Sequence, residues 1–400
     1  MKLDRRIWQL AFARSVNTMG LSLVMTFLGI YIVKTRGYPA WLYGVIALTG
    51  NLSQSLSNAW AGQLSDRIGR KPLITTSMLV RAVFIAVLGV LVLLDAPIWA
   101  LAINLVITST LRGCFEPVSY ALVADVATPE QRIAAFGLQR MGVNLGWAIG
   151  PALGGLLTIF MPYGTVFFIA AFGMLVATAV IAPMEDPIRA KSTASSSPPL
   201  AEALRTAWRD RTIRLLLLAT FFAALLHTQM YATFSIFMTD ELALTKANVG
   251  VIYALNGAAV LILQLPALAL INRIGIEIAL PYAAIVNTIG YALIGAATGM
   301  TGCALAMLVI TMGEVVLSPA HQSATAELAD PSHRGRMFGV IGFAQMLGVA
   351  FAPLLGGVLL DTIGDHHGAM WMIIATLGCA QTLYLFAFVR RRRALSSTRA

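Results

Sequence analysis

Long apolar stretches alternate with short polar clusters along the whole 400-residue chain. A helix needs about 20 mostly apolar residues to cross the hydrocarbon core of a bilayer. Stretches of about that length or longer occupy twelve approximate ranges, namely 8–34, 39–61, 73–94, 98–124, 133–160, 164–184, 213–238, 245–271, 276–297, 302–326, 336–360 and 368–389. The pattern predicts an all-α membrane protein with twelve transmembrane helices.

Composition and charge placement agree with this prediction. Only 12% of residues are charged, against about 25% in ordinary soluble domains. If both termini and the even-numbered connections lie on one side, that side carries 21 of the 28 Lys and Arg residues, with three opposite and four inside stretches. Such a bias marks the cytoplasmic side. We therefore expect a multi-pass protein of the cytoplasmic (inner) membrane with both termini cytoplasmic, in which the net charge of +10 reports topology and not a nucleic-acid partner.

The longest polar interruption, 185–212, divides the stretches six and six. It predicts an N-terminal bundle at 1–184, a cytoplasmic linker at 185–212, a C-terminal bundle at 213–390 and a basic cytoplasmic tail at 391–400. Within the linker, Leu200, Leu204 and Trp208 recur at helical spacing. This spacing favours an amphipathic helix at the lipid headgroups, and a partner or regulatory site is the alternative.

The two halves repeat one another. Pro, an acidic residue and Arg recur at one spacing in "PVSYALVADVATPEQR" (117–132) and "PAHQSATAELADPSHR" (319–334). The same offset of 202 relates "GPALGG" (150–155) to "APLLGG" (352–357), and "NRIG" (272–275) echoes "DRIG" at an offset of 206. Two pseudo-symmetric six-helix bundles in parallel are typical of transporters whose site lies between the halves.

Three motifs then carry a family resemblance. "GQLSDRIGRK" (62–71) resembles the signature loop of the major facilitator superfamily, Arg112 resembles its second motif, and "GVNLGWAIGPALGG" (142–155) resembles the third, typical of its drug:proton antiporter branch. The resemblance covers essentially the whole chain and implies that fold and proton-driven transport. The second-half loop departs from the motif, with Asn272 for Asp and Ile276 for Arg.

The charged loop is predicted to be a conformational latch. It lacks the Walker spacing of a nucleotide-binding loop. Asp66 is an anion placed to meet a helix N-terminus, which the resemblance puts at the start of the eleventh span, after Arg334. Arg70 is placed to meet Asp125. The alternative is that the loop's cations only set topology; the latch residues are Gly62, Asp66, Arg67, Gly69, Arg70 and Asp125.

Small residues line one face of two helices. Glycines spaced four apart let helix backbones approach closely, and an internal proline kinks or hinges a helix. Packing alone and movement during transport both explain the pattern. Its members are Gly142, Gly146, Gly150, Pro151 and Gly154 in the first half and Gly348, Pro353 and Gly356 in the second.

Ionisable residues deep in a membrane default to functional hypotheses. Glu314 has no basic residue within a turn, so it is predicted to load and release protons, with His321 either as a relay or as a hydrogen-bonded buried histidine. Glu116 lies one turn from Arg112 and at the depth of Arg140, which predicts an ion pair; it is the third proton-coupling candidate.

Two further arginines, Arg14 and Arg81, lie about two turns from the cytoplasmic ends of their helices. Long basic side chains near a helix end usually extend to the headgroups. We therefore expect that both can snorkel and are structural, with a functional role as the alternative.

Polar and aromatic residues of several spans are predicted to line a substrate cavity. Arg112 would suit an anionic substrate and Glu314 a cationic one, so the sequence leaves the substrate's charge open. The cavity candidates are Asn17, Arg112, Asn144, His227, Gln229, Asn256 and Phe343.

These observations predict a proton-coupled transporter that exports drugs or other small molecules by alternating access. Uptake of a metabolite is the alternative within transport, and a lipid translocase or receptor without proton coupling is the alternative outside it. Neither G-x-S-x-G nor H-E-x-x-H occurs, which argues against an enzyme. Three scattered cysteines predict neither a disulfide framework nor a metal site. The expected partners are a small molecule, protons and the lipid bilayer; no cofactor is expected, and a monomer suffices.

Overall fold

A computed structural model describes residues 3–128, 131–184, 200–328, 334–363 and 366–397. Within these ranges the chain is almost wholly helical. The first helix continues as a π-helical turn, Tyr31–Thr35. The helices are α1 (Arg5–Ile30), α2 (Ala40–Ile68), α3 (Arg70–Leu93), α4 (Ile98–Val126), α5 (Arg132–Phe160), α6 (Tyr163–Ile181), α7 (Leu200–Arg209), α8 (Arg211–Asp240), α9 (Lys246–Ile274), α10 (Ile276–Ile294), α11 (Met300–Leu328), α12 (Arg334–Ile363) and α13 (His367–Ser397).

Eleven helices in the described part of the chain are long and apolar enough to cross a membrane. The twelfth predicted span is α2, which has the length, at 29 residues, but is not among those eleven. Polar residues lower the hydropathy of α2, and some of them form hydrogen bonds with α4. The Ser53 and Thr110 hydroxyls are 2.7 Å apart, and Ser57 donates to the Thr110 carbonyl.

The repeat seen in the sequence reappears in the packing. In the first half α1 packs on α5 and α6, and α3 packs on α4 and α6. In the second half α8 packs on α12 and α13, and α10 packs on α11 and α13, which is the same set of pairs. The chain is thus an all-α protein built from two six-helix bundles of equivalent connectivity.

The contacts divide the chain into two compact units. The first comprises Met1–Tyr38, Val45–Lys191 and Leu244–Gly257, and the second comprises Pro39–Gly44, Ser192–Ala243 and Ala258–Ala400. The first turn of α2 therefore belongs to the second unit, and the first part of α9 belongs to the first.

Two glycines that are related by the repeat allow the start of α9 to pack in the first unit and the start of α2 to pack in the second. A Cβ on Gly155 would lie 2.6 Å from the Lys246 carbonyl oxygen, and one on Gly357 would lie 2.9 Å from the Trp41 Cα. Such distances are far below ordinary van der Waals contact. The last glycine of each "GG" pair thus lets the first turn of a helix from the other half of the sequence pack on it.

A glycine also forms the turn that joins the second and third helices of each half. Gly69 precedes α3 with φ +101°, and Gly275 precedes α10 with φ +80°. Residues with a Cβ rarely adopt this backbone region, whereas glycine enters it freely. The eroded second-half motif therefore keeps the residue that its turn requires.

The amphipathic stretch and the C-terminal segment are both helical. In α7, Leu204 and Ala207 pack against the core of the second unit, while Trp208 is 53% exposed. Asp210 caps α8 by accepting from the amides of Thr212 and Ile213. At the C-terminal end of the chain, α13 continues to Ser397. Most of the segment that was expected to be a basic tail therefore extends the last helix.

Candidate functional site

Glu116 and Arg112 form an ion pair inside the first unit. Nε and Nη2 of Arg112 each lie 2.9 Å from Oε1 of Glu116, and Nε2 of Gln54 lies 3.4 Å from Oε2. The pairing with Arg112 matches the sequence prediction. Arg140 is an exposed residue of α5, and its position at the depth of Glu116 stays a prediction.

Arg14 and Arg81 do not snorkel, and that prediction was wrong. Only 5% of Arg14 and 2% of Arg81 is exposed. Arg14 donates to the Ser119 hydroxyl at 2.7 Å and lies 3.7 Å from the centre of the Tyr120 ring. Arg81 donates to Oδ1 of Asn17 at 2.5 Å. Both side chains turn into the bundle because α1 and α4 offer hydrogen-bond acceptors and an aromatic face there.

These residues make the interior of the first unit electropositive. Arg14, Arg81 and Arg112 all lie within electrostatic range of Glu116. In residues 1–184, Glu116 is the only acidic residue inside an apolar stretch. Three guanidinium groups therefore share one carboxylate, which leaves an excess of positive charge.

Glu314 lies in a different environment in the second unit. It is the central residue of α11, as Arg112 is of α4, and the two are related by the repeat. Its Oε2 is buried and receives no hydrogen bond from the described residues. Tyr231 of α8 lies within electrostatic range of Glu314. The two membrane acids thus differ: one is held by a cation, and the other has a buried oxygen without a donor.

His321 is hydrogen-bonded rather than free. Its Nε2 lies 2.8 Å from Oγ1 of Thr220, and that hydroxyl donates to the Leu216 carbonyl at 2.7 Å. A hydroxyl has one proton to donate. We infer that Nε2 of His321 carries a hydrogen and donates to Thr220, which leaves Nδ1 as the acceptor. His321 lies about 10 Å along the helix axis from Glu314.

Two cavity candidates are buried and hydrogen-bonded inside their own units. Gln229 is completely buried; its Nε2 donates to the Ala352 carbonyl at 2.9 Å, and its Oε1 accepts from Thr233. It therefore joins α8 to α12. Asn17, 3% exposed, is occupied in holding Arg81. Both amides satisfy buried groups that the sequence pattern does not reveal.

The other cavity candidates occupy varied positions. Asn144 is exposed on α5, Asn256 is 8% exposed on α9, and Phe343 is half-buried on α12. His227 packs edge-on against Tyr231, with ring centres 5.9 Å apart. That these four residues line a substrate cavity stays a prediction.

The predicted contact between Arg70 and Asp125 is present. Nη1 of Arg70 forms an ion pair with Oδ2 of Asp125, joining the start of α3 to the end of α4. Gly62, Asp66 and Arg67 lie in α2, but their side chains lie outside the described part of the chain. The latch role of the whole set stays a prediction.

The glycine stripes face neighbouring helices closely. A Cβ on Gly142, Gly146 or Gly154 would lie 2.5–2.8 Å from atoms of α1. A Cβ on Gly348 would lie 2.5 Å from the Phe221 carbonyl oxygen of α8. Gly150 and Gly356 make equally close approaches to the same two helices. Close packing of α5 on α1 and of α12 on α8 thus accounts for the stripes, and Pro151 and Pro353 lie inside these helices.

Two acid-mediated contacts were missed in the sequence. Glu327 pairs with Arg392, and Glu277 pairs with Arg393 at 2.6 Å, where α10, α11 and α13 meet. The repeat offered a signal, because Glu327 corresponds to Asp125 at the offset of 202. Arg392 and Arg393, however, were interpreted only as part of the excess of positive charge on the cytoplasmic side.

A further acid-mediated contact that the sequence did not reveal caps α2. The Asp361 carboxylate accepts from the amide of Ala40 at 2.9 Å and from that of Trp41 at 2.6 Å. An anion at a helix N-terminus satisfies free amides and interacts favourably with the helix dipole. No sequence signal connects Asp361 to residues so far away along the chain.

Comparisons with known proteins agree with this architecture. The model of the Major Facilitator Superfamily matches residues 10–310 and 216–400. The MFS-type transporter YqjV of Bacillus subtilis (strain 168) is 24% identical over 365 residues, covering 89% of this chain and 87% of that protein. Multidrug resistance protein MdtH of Yersinia enterocolitica serotype O:8 is 26% identical over 383 residues, covering 94% and 92%.

Solved structures have the same fold. The nucleoside transporter NupG superposes with a TM-score of 0.78 at 12% identity, covering 96% of this chain and 99% of NupG. A bacterial homolog of the human lysosomal transporter Spinster superposes with a TM-score of 0.79 at 14% identity, covering 96% of each chain.

Proposed function

Because the chain belongs to the major facilitator superfamily, we propose that it is a proton-coupled antiporter that exports small molecules by alternating access. The family places the chain among membrane transporters and not among enzymes. Relatives named multidrug resistance protein MdtH support export of drug-like compounds. The charge bias of the sequence supports a cytoplasmic membrane location with both termini inside.

The contrast between the two membrane acids carries the proposal. Glu116 is fixed by Arg112 and two further arginines, so it has little freedom to exchange a proton. Glu314 has a buried oxygen without a hydrogen-bond donor among the described residues. An acid inside a membrane span that is not held by a cation is a typical site of proton exchange in transporters. Glu314 is therefore the coupling acid.

Coupling follows from the two charge states of Glu314. A proton on Glu314 and a molecule in the substrate site each favour one of the two access states, and each therefore shifts their equilibrium. Ser318 and His321 follow on α11 toward its cytoplasmic end, and they form a relay between Glu314 and the cytoplasm. The proton gradient supplies the energy without a nucleotide cofactor, and one chain contains the whole machinery.

The test is compound-dependent proton movement in proteoliposomes that enclose a pH-sensitive dye. Wild type, Glu314→Gln and Glu241→Gln are compared over a panel of drug-like compounds. Glu241 ends α8 beside His367 and serves as a matched acid of the same unit. We expect proton flux in wild type and in the Glu241 variant and none in Glu314→Gln. Exchange of labelled compound without a gradient checks that the Glu314 variant is folded.

The direction of flux separates the alternatives. Protons that move opposite to the compound support export, whereas protons that move with it indicate uptake. Compound movement without proton flux in wild type would indicate an uncoupled translocase. Gradient-driven flux that persists in Glu314→Gln would overturn the assignment of the coupling acid.

A further inference from the structure

The first unit holds two buried positive charges that its carboxylate does not balance. Arg112 is matched by Glu116. Arg14 and Arg81 are 5% and 2% exposed, and among the described residues they hydrogen-bond only to neutral groups, the Ser119 hydroxyl and the Asn17 amide. The Nε atoms of both are buried and donate to no acceptor among the described residues.

Such an arrangement is costly unless an anion completes it. Even after relaxation, an ion removed from water costs several kcal/mol, and an arginine cannot give up its proton to become neutral. The Tyr120 face, 3.7 Å from the Arg14 guanidinium, offsets part of this cost. It does not neutralise the charge, and a bound anion would.

We propose that Arg14, Arg81 and Arg112 form a subsite for the anionic group of the transported molecule, a carboxylate or sulfonate carried on an apolar body. The inference rests on the proposed transport function and names its substrate class. Arg112, whose side chain is 25% exposed, makes the direct contact, since a guanidinium matches a carboxylate with two parallel hydrogen bonds. Arg14 and Arg81 lie behind it and supply the field.

The surroundings of Arg81 indicate the direction of approach. A narrow cavity beside Arg81, lined also by Gly20, Met25 and Phe167, has room for about one water molecule. A drug-sized molecule does not fit there. The anionic group therefore does not enter through this cavity, and the partly exposed side chain of Arg112 is its point of contact.

Binding of matched probes tests the proposal without a pH gradient. The purified full chain in zwitterionic nanodiscs is titrated with 2-naphthoate, 2-naphthalenesulfonate and the neutral 2-naphthamide. Wild type is compared with Arg14→Gln and Arg14→Lys, and the exposed Arg140→Gln serves as the control. A hydrogen bond to a charged group contributes about 1.5–3 kcal/mol, so we expect wild type to prefer the anions to the amide by about tenfold or more. This preference should weaken in Arg14→Gln, because the field loses one positive charge while the Arg112 contact remains. It should persist in Arg14→Lys, which keeps the charge, and in the control, with amide binding unchanged throughout.

The outcomes are distinct from those for proton coupling. Equal binding of the anions and the amide, no binding of either anion, or an anion preference that is undiminished in Arg14→Gln would overturn the subsite. Loss of the preference in nanodiscs that contain phosphatidylglycerol would assign the cluster to a lipid phosphate and overturn its assignment to the transported molecule. Because Glu314 stays intact and no gradient is applied, failure here leaves the flux test of Glu314 unaffected.

Discussion

The Arg392 guanidinium, from the last helix, forms an ion pair with the Glu327 carboxylate at the end of α11. By the repeat, Glu327 corresponds to Asp125, whose partner is Arg70 at the start of α3. The residue equivalent to Arg70 in the second half is Ile276. Each unit therefore keeps an arginine on the same acid, but the second unit takes its arginine from α13 after losing the one in the loop motif.

This exchange predicts a rescue. Arg392→Gln should lower stability by about 0–1 kcal/mol, because the two side chains are 31% and 44% exposed and such pairs are screened by water. Ile276→Arg should restore the loss in that background by supplying the motif's own cation. Thermal unfolding of the two single variants and the double variant measures the effect, with exposed Arg391→Gln as control. If Ile276→Arg raised the stability of wild type by the same amount, the introduced arginine and Arg392 would not be competing for Glu327, and the interpretation would be wrong.

Two glycines of α5 should respond oppositely to alanine. At Gly146 a Cβ would lie 2.7 Å from the Thr18 Cβ, so Gly146→Ala should destabilise by about 1–3 kcal/mol through overpacking. At Gly137 a Cβ would meet no described atom within 4 Å, so Gly137→Ala should stabilise by up to about 1 kcal/mol through helix propensity. Melting temperatures of the two variants in the same detergent decide the matter. Similar shifts in both would argue against close packing of α5 on α1.

The carboxylate that caps α2 can be tested by removal. Asp361→Ala should cost about 1 kcal/mol, a typical value for loss of an N-cap, because the amides of Ala40 and Trp41 lose their acceptor. Asp361→Asn keeps an acceptor oxygen and should cost less. Thr362→Ala is the control, since its hydroxyl bonds within its own helix. Unfolding curves with Asp361→Ala no lower than the control would show that this cap contributes nothing.

Because three arginines share the Glu116 carboxylate, removing Glu116 and removing Arg112 should lower stability by different amounts. Glu116→Gln removes the one negative charge among three arginines and should destabilise by about 3–5 kcal/mol, as when a buried ion pair loses one partner. Arg112→Gln should cost less, because Arg14 and Arg81 remain to balance Glu116. The double variant should cost less than the sum of the two single variants. Thermal unfolding gives the order, and a larger loss in Arg112→Gln would contradict a net positive cluster.

Regularities within one helix or one repeat were visible in the sequence. The pairing of Arg112 with Glu116 follows from their spacing of four residues, which places them on one helix face. The stripe from Gly142 to Gly154 follows from the same periodicity. The equivalence of Arg112 and Glu314, both at helix centres, follows from the constant offset between the halves.

The sequence did not show which way the polar side chains of the helices point. In a soluble protein the apolar stripe of a helix marks its buried face. In a membrane both the lipid and the protein interior are apolar, so this signal disappears. Gln229 looked like a cavity residue and is instead bonded to Ala352, while Arg81 looked like a snorkelling residue and is instead held by Asn17.

The amino-acid sequence by itself determined the helices, their repeat and the ion pair within α4, because these depend on the local spacing of apolar, small and charged residues. Only the tertiary structure decided that Arg14 and Arg81 lie near Glu116, that Arg392 replaces the lost loop arginine, and that Asp361 caps α2. Each of these contacts joins residues on different helices. The packing of whole helices places such residues together, and no spacing along the chain encodes it.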